Sequence, residues 1–159
     1  MKYIPLTQGK FAIVDDDMYE YLNQWKWCLR KKSERSFYAG RNDWENKKNH
    51  IVTMQQLIMN PPKGMVIDHI NGNGLDNRRC NLRICTREQN LKNQKRHKNN
   101  KCGYKGVHWV PLLKKWRAGI YSDGKDIYIG VYASLEDAAK AYNKAAIKYH
   151  GEFARLNNV

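Results

Sequence analysis

Between residues 65 and 90 the chain gathers a histidine, carboxylates and several amides in an order that leaves little freedom in how the segment folds. Met65-Val66-Ile67 is a short apolar run ending at Asp68-His69, which reads as a strand. From Asn71 to Asn77 the chain alternates Asn, Gly and Asp. These residues accept left-handed backbone or bond their own main chain, so a loop follows. Leu82-Arg83-Ile84-Cys85 is a second short strand candidate. Thr86 followed by Gln89 is a capping box, which predicts a helix starting near Arg87 with Asn90 about one turn inside it. Neighbours on a regular strand point to opposite faces, so Asp68 and His69 can serve one site only if the strand ends or bends there. Asn71-Gly72 offers that break. Taken singly, Asp68, Asn81 and Asn90 are turn and cap types and His69 is a surface histidine; the set at this spacing carries the chemical reading.

In order and interval Asp68-His69, Asn81 and Asn90, with the Asn-Gly loop and the Asn81-Leu82-Arg83 lead into the second strand, resemble the HNH or ββα-metal nuclease motif. The likeness is to the phage homing type, whose last motif position is Asn. The residue types suit the chemistry implied. A phosphodiester resists attack because its oxygens are negative, and a divalent ion neutralises that charge and stabilises the leaving oxygen. Mg²⁺ takes oxygen ligands and keeps several waters; Asp68 and Asn90 offer two such oxygens, and Mn²⁺ is an alternative ion. His69 has an ordinary pKa near 6.5, so it can be neutral and take a proton from water as general base. Asn81 either orients His69 or braces the hairpin loop. Relatives of this type often carry Met-His-Arg where this chain has Met54-Gln55-Gln56.

Charge points to a polyanion. Against 15 Asp and Glu stand 29 Lys and Arg, a formal charge of +14. Nucleic acid is the first candidate partner and an anionic membrane surface the second. No stretch approaches the roughly 18 apolar residues a spanning helix needs. Met1-Lys2-Tyr3-Ile4-Pro5 lacks the apolar core of a signal peptide, so an intracellular setting without membrane attachment is expected. With 42% hydrophobic residues in 159, the chain can build a packed core in one domain or two small ones. Cys28, Cys80, Cys85 and Cys102 form no Cys-x-x-Cys pair and read as reduced thiols. A zinc site on Cys80, Cys85 and Cys102 would need a fourth ligand such as His97 or His108.

Ahead of the motif, Phe11-Ala12-Ile13-Val14 reads as a strand and Asp15 as the cap of a short helix through Met18, Tyr19 and Leu22. Trp25 to Arg30 and Phe37 to Arg41 read as two further strands. The tryptophans there fit sheet-core positions or base-stacking platforms. Arg30-Lys31-Lys32 with Arg35 fits either a phosphate contact or a solvated turn. Pro61-Pro62 ends any helix over the segment from Ile51 to Met59.

After Asn90 the helix is expected to continue through Leu91, Lys92, Asn93 and Lys95. Lys92, Lys95, Arg96, Lys98 and Lys101 arrive with no acid among them, which suits a basic linker against phosphates. Beyond it, Val107 to Val110, Lys115 to Tyr121 and Asp126 to Tyr132 read as three strands, with Asp123-Gly124 as a hairpin turn. Ser134 with Asp137 caps a helix whose apolar positions recur at helical spacing.

This module resembles the AP2 domain. The matching residues are Tyr104-Lys105-Gly106-Val107, Lys115-Trp116-Arg117-Ala118, Tyr128-Ile129-Gly130-Val131-Tyr132 and the helix from Glu136 to Ala146, continuing to Asn157. The resemblance implies a sheet face in the major groove of duplex DNA, whose width suits a β-ribbon. Lys105, His108, Trp109, Lys114, Trp116, Arg117 and Tyr128 are the candidate contacts. Alternation sends Trp116 and Arg117 to opposite faces, so one of them belongs to the core.

The expected fold is thus α+β: an N-terminal nuclease domain over residues 1–97 with its motif core at 65–97, a basic linker at 98–102, and an AP2-like domain at 103–159. The expected activity is metal-dependent hydrolysis of double-stranded DNA, by a homing or site-specific nicking or cleaving enzyme acting as a monomer or a DNA-assembled dimer. The alternatives are a non-catalytic sequence-specific DNA-binding regulator and, from the aromatic-bearing sheet, an RNA-binding protein.

Overall fold

A computed structural model describes residues 1–33, 36–45, 48–96 and 99–159; Arg35, His97 and Lys98, singled out above, lie outside the described residues. The chain divides into two compact units, Met1–Arg87 and Glu88–Val159. The fold is mixed α and β, with small antiparallel sheets and few helices.

In the first unit β1 (Lys2–Pro5) pairs antiparallel with β2 (Phe11–Val14), setting Ile4 opposite Ala12. Alternation turns Ile4, Ala12 and Val14 inward. Helix α1 (Asp16–Asn23) follows and sends Leu22 into the same core. Asp15 stands at its N-cap but makes no side-chain cap bond; its carboxylate accepts from the Arg79 backbone N–H at 2.8 Å. A long-range partner has displaced the local one.

The strand expected from Trp25 begins later, as β3 (Cys28–Ser33). Trp27 is taken by the core instead: it is 2% exposed and its indole N–H donates to the Leu22 carbonyl at 2.8 Å, tying the chain to the end of α1. Trp25 packs against that core at the edge of both Tyr21 and Trp27. β3 joins β4 (Ser36–Glu45) and β5 (Lys48–Thr53) in a three-stranded sheet of order β3-β4-β5. β5 has no counterpart among the sequence expectations, because Lys48-Asn49-His50 lacks the alternation that marks a strand.

Helix α2 (Met54–Met59) opens on Thr53. The Gln56 Oε1 accepts from the Thr53 backbone N–H at 3.0 Å and from its hydroxyl at 2.8 Å. The glutamine that departs from the usual Met-His-Arg thus closes the start of this helix. Asn60, in left-handed backbone at φ 41°, ends α2 ahead of the two prolines. The hairpin β6 (Val66–His69) and β7 (Leu82–Cys85) completes the unit. Each fully buried apolar side chain of the core, such as Ile4, Leu22 or Met54, contributes roughly 1.5–3 kcal/mol through burial.

Helix α3 (Arg87–Lys92) starts where the capping pattern predicts and stops short of Lys95. It stops because Lys105 ends it from outside, its ammonium donating to the Lys92 and Gln94 carbonyls at 2.7 Å each. The second unit continues with β8 (Val107–Val110), β9 (Lys115–Ser122) and β10 (Lys125–Tyr132), an antiparallel sheet of order β10-β9-β8. Asp123 and Gly124 both have positive φ, 53° and 79°, the mirror-image turn that matches strand twist. Helix α4 (Leu135–His150) is capped by Ser134, whose hydroxyl accepts from the Asp137 N–H at 3.4 Å. Its stripe of Ala138, Ala139, Tyr142 and Ala146 packs on Val107, Ala118 and Ile120. Gly106, at φ 73°, passes so close beneath Tyr142 that a Cβ would strike the ring.

Candidate functional site

Strand β6 ends at His69, as a shared Asp68-His69 site would require. The Gly72 N–H turns back to the His69 carbonyl at 2.8 Å, and the Ile70 N–H donates to the Asn81 carbonyl. The two neighbours take different partners. Asp68 lies directly opposite Arg83 across the hairpin, 5% exposed, and its Oδ2 accepts from Arg83 Nε at 2.9 Å and Nη2 at 2.7 Å. Arg83 thereby offsets a carboxylate charge that burial would otherwise oppose. His69 is half-buried, and its Nε2 lies 3.1 Å from Asn77 Oδ1.

The loop from Ile70 to Arg78 is held by side chains, not by a ladder. Asn81 Oδ1 accepts from the Asn71 N–H at 3.0 Å and its Nδ2 donates to the Asp76 carbonyl at 2.8 Å. Of the two roles open to Asn81, bracing the loop is the one these bonds describe. Asp76 is buried and receives two bonds of 2.7 Å from Arg78, which hold its carboxyl below the usual carboxylate range against the opposing effect of burial. The Asn71 amide adds a third bond to the same carboxylate. Asn71 and Asn73 each accept from a backbone N–H two residues on, the turn chemistry read from the sequence.

The loop is pinned at both ends of its buried stretch. The Ile13 N–H donates to Leu75 and the Asn77 N–H donates to Ile13, in a parallel bridge to β2. At Gly74 a Cβ would collide with the Phe37 carbonyl of β4, so only glycine lets the loop sit this close. Asn77 is fully buried, and its Nδ2 faces the Met54 sulfur at 3.6 Å. Sequence reasoning passed over Asn77, Asp76 and Arg78. The signal available was the Asp76-Asn77-Arg78 run itself, three polar residues closing an Asn-Gly loop just before an apolar strand.

Asn90 is half-buried on α3, within the second unit. Among the described residues no group of three His, Cys, Asp or Glu is placed to hold a metal ion. The four cysteines are free, and burial pushes the Cys85 thiol up.

In the second unit the open sheet face is set by β9. Its even positions Ala118, Ile120 and Ser122 are buried under α4, while Lys115, Arg117 and Tyr121 are exposed on the other side. Arg117 stands opposite His108 on β8, and its guanidinium lies 5.4 Å from the Tyr128 ring. This is a basic, aromatic face of His108, Lys115, Arg117, Tyr121 and Tyr128. Trp116 falls on the helix side, half-buried against the core, and packs edge-on to Trp109 at 5.0 Å. The structure thus separates the two tryptophans from Arg117. Lys114 is exposed in left-handed backbone ahead of β9, and Lys115 and Tyr121 are additions that β9's alternation could have supplied.

The basic residues after α3 are partly engaged. Lys92 pairs with Asp123 at 3.4 Å, and Arg96 donates to the Asn100 carbonyl at 2.9 Å, while Lys95 and Lys101 are exposed. Lys105 is drawn inward by its two carbonyl partners, and burial, with Arg155 nearby, lowers its pKa to about 8.

A family model described as HNH endonuclease matches residues 59–92, the stretch that contains Asp68, His69, Asn81 and Asn90. Protein 3.8 of Escherichia phage T7 is 33% identical over 126 residues, covering 79% of this chain and 98% of that protein. An uncharacterized HNH endonuclease of Acanthamoeba polyphaga mimivirus is 30% identical over 153 residues, covering 96% of this chain and 77% of that protein. APETALA2-like protein 2 of rice is 37% identical over 54 residues, 34% of this chain and 12% of that protein. No solved structure matches the chain.

Proposed function

This chain belongs to the HNH endonuclease family, DNA-cleaving hydrolases, with an AP2-like region beside the nuclease motif, and from that premise we propose that His69 is the general base of phosphodiester hydrolysis. The observation that carries the reading is the end of β6. There His69 emerges from a short hairpin beside a loop fastened by Asn81, Asp76 and β2. A base held in this way is worth roughly 10²–10⁴-fold in rate.

Asp68 and Asn90 are the proposed ligands of a divalent ion, and both present oxygen, the donor Mg²⁺ and Mn²⁺ take. When bound, the ion supplies charge neutralisation at the phosphate and a stabilised leaving oxygen. The chain's own residues do the remainder. His69 takes the proton of the attacking water, Arg83 holds the Asp68 carboxylate in place, and Asn81 keeps the loop from shifting beneath the histidine.

In this reading β6, β7 and α3 form the ββα-metal core. The nuclease domain spans residues 1–97, a basic linker 98–102, and an addressing module 103–159. The open face of His108, Lys115, Arg117 and Tyr128 grips double-stranded DNA, with Lys95 and Lys101 on neighbouring phosphates. A homing or site-specific role, in an intracellular setting, is supported by the phage and viral relatives.

The test is a supercoiled plasmid incubated with the protein and Mg²⁺, with and without chelator, beside a His69→Ala variant. Cleavage by the wild type alone, with DNA binding retained in the variant, is the expected result; full activity in His69→Ala would refute the assignment of the base. The product, open-circular or linear, also reports whether one strand is cut or both.

A further inference from the structure

We propose that Asn77 is a positioning residue for the reaction: it fixes His69 in the tautomer that carries its proton on Nε2 and so makes Nδ1 the basic nitrogen. The proposal rests on the reading of His69 as the general base.

The argument starts from what each atom can do. An amide oxygen only accepts, so the 3.1 Å contact between Asn77 Oδ1 and His69 Nε2 is a hydrogen bond only when Nε2 donates. The orientation of the amide is itself decided by the far side of the group. Asn77 Nδ2 faces the Met54 sulfur at 3.6 Å, and a thioether is a weak acceptor with no proton to give. Turning the amide over would give up the N–H···S contact and set the amide oxygen against a sulfur that has no proton to offer it. One face of the amide is therefore tuned by α2, and the other is committed to the histidine.

Asn77 cannot relax from this arrangement. Its side chain is fully buried, and its backbone N–H is bonded to the Ile13 carbonyl at 2.8 Å, which anchors it to β2 independently of its side chain. A neutral imidazole has one donor and one acceptor nitrogen, and the hydrogen bond at one sets the state of the other. With the proton held on Nε2, the lone pair lies on Nδ1, the nitrogen nearer the strand backbone. Asn77 touches neither DNA nor water in this scheme and acts through His69 alone. It differs from Asn81, whose bonds go to the loop backbone.

The experiment reads the tautomer directly. Long-range ¹H–¹⁵N correlation spectra of the full-length, metal-free protein with ¹⁵N-labelled histidine, assigned with His69→Ala, should show a protonated, pyrrole-type Nε2 and an unprotonated, pyridine-type Nδ1 for His69 at high pH. A protonated Nδ1 in the wild type would overturn the proposal, while leaving His69 free to act as a base through its other nitrogen. Asn77→Leu, which removes the acceptor at similar volume, should mix the two tautomers and lower kcat about tenfold or more with KM unchanged. Asn77→Asp keeps an acceptor oxygen at this position and should restore both the Nε2–H signature and most of kcat. If both variants are folded and show the wild-type tautomer, the proposal fails. If His69→Ala is fully active, the underlying reading fails instead, so the two failures are distinguishable.

Discussion

Replacing Asn81 by Ala removes one side chain and with it the bonds it gives to two backbone groups. The Asp76 carbonyl lies in a buried setting and loses its 2.8 Å donor, and the Asn71 N–H, partly buried, loses its acceptor at 3.0 Å. An unsatisfied buried polar group costs about 1–3 kcal/mol, and the partly solvated one belongs at the low end of that range. Together they amount to about 2–4 kcal/mol, a large part of the ~5–15 kcal/mol that holds a small domain folded. At a urea slope of about 1 kcal/mol per molar, the midpoint of the first unit should fall by about 2–4 M. Urea titration followed by tryptophan fluorescence can see this, because Trp27 is buried in the first unit's core. A loss below about 1 kcal/mol would refute the bracing role and return Asn81 to the alternative of orienting His69.

Other consequences are open to measurement. Asp76 has a folded pKa held below its unfolded value by Arg78, so its contribution is present above about pH 4 and lost as pH falls through the folded value; acid unfolding of Asp76→Asn should lack the wild type's decline in that range. Lys105, with a pKa lowered to about 8 mainly by burial, binds fewer protons folded than unfolded between there and its ordinary value. Stability of the second unit should therefore rise with pH from about 8 to about 10.4, and Lys105→Met should flatten that rise in a pH series of thermal melts. Arg117→Ala should weaken duplex binding by about 10-fold or more and lower the salt slope by about one, without shifting the melting temperature. Trp116→Ala should do the reverse, destabilising the unit by about 2–4 kcal/mol through its half-buried indole. Gly106→Ala should unfold the second unit, since the new methyl meets the Tyr142 ring in backbone already at positive φ; circular dichroism of the variant checks this.

Legibility varied with the range of the interactions involved. The second unit was readable almost throughout. Its strand limits, its Asp123-Gly124 turn and its Ser134 cap rest on contacts between residues close in sequence. The start of α3 was readable for the same reason, but its end was not, because the group that terminates it, Lys105, arrives 13 residues later. Asp15 looked like a helix cap and is one by position. Its carboxylate is claimed by Arg79, 64 residues away, and no local pattern signals that. Trp25 to Arg30 looked like strand by alternation, yet the strand begins only at Cys28, because Trp27 was worth more to the core than to a ladder.

The amino-acid order by itself determined the chemistry on offer: a histidine next to a carboxylate, an asparagine before the second strand, another on the helix, and a large positive charge to meet a polyanion. These follow from residue type and short spacing, which folding cannot alter. Tertiary structure alone decided how those groups are shared out. It gave Asp68 to Arg83, set Asn81 to the loop backbone, brought the unsuspected Asn77 against His69, and turned Arg117 outward while Trp116 turned in. Partnership of this kind depends on burial and on strand register, which make each polar group find its complement among residues that the sequence keeps far apart.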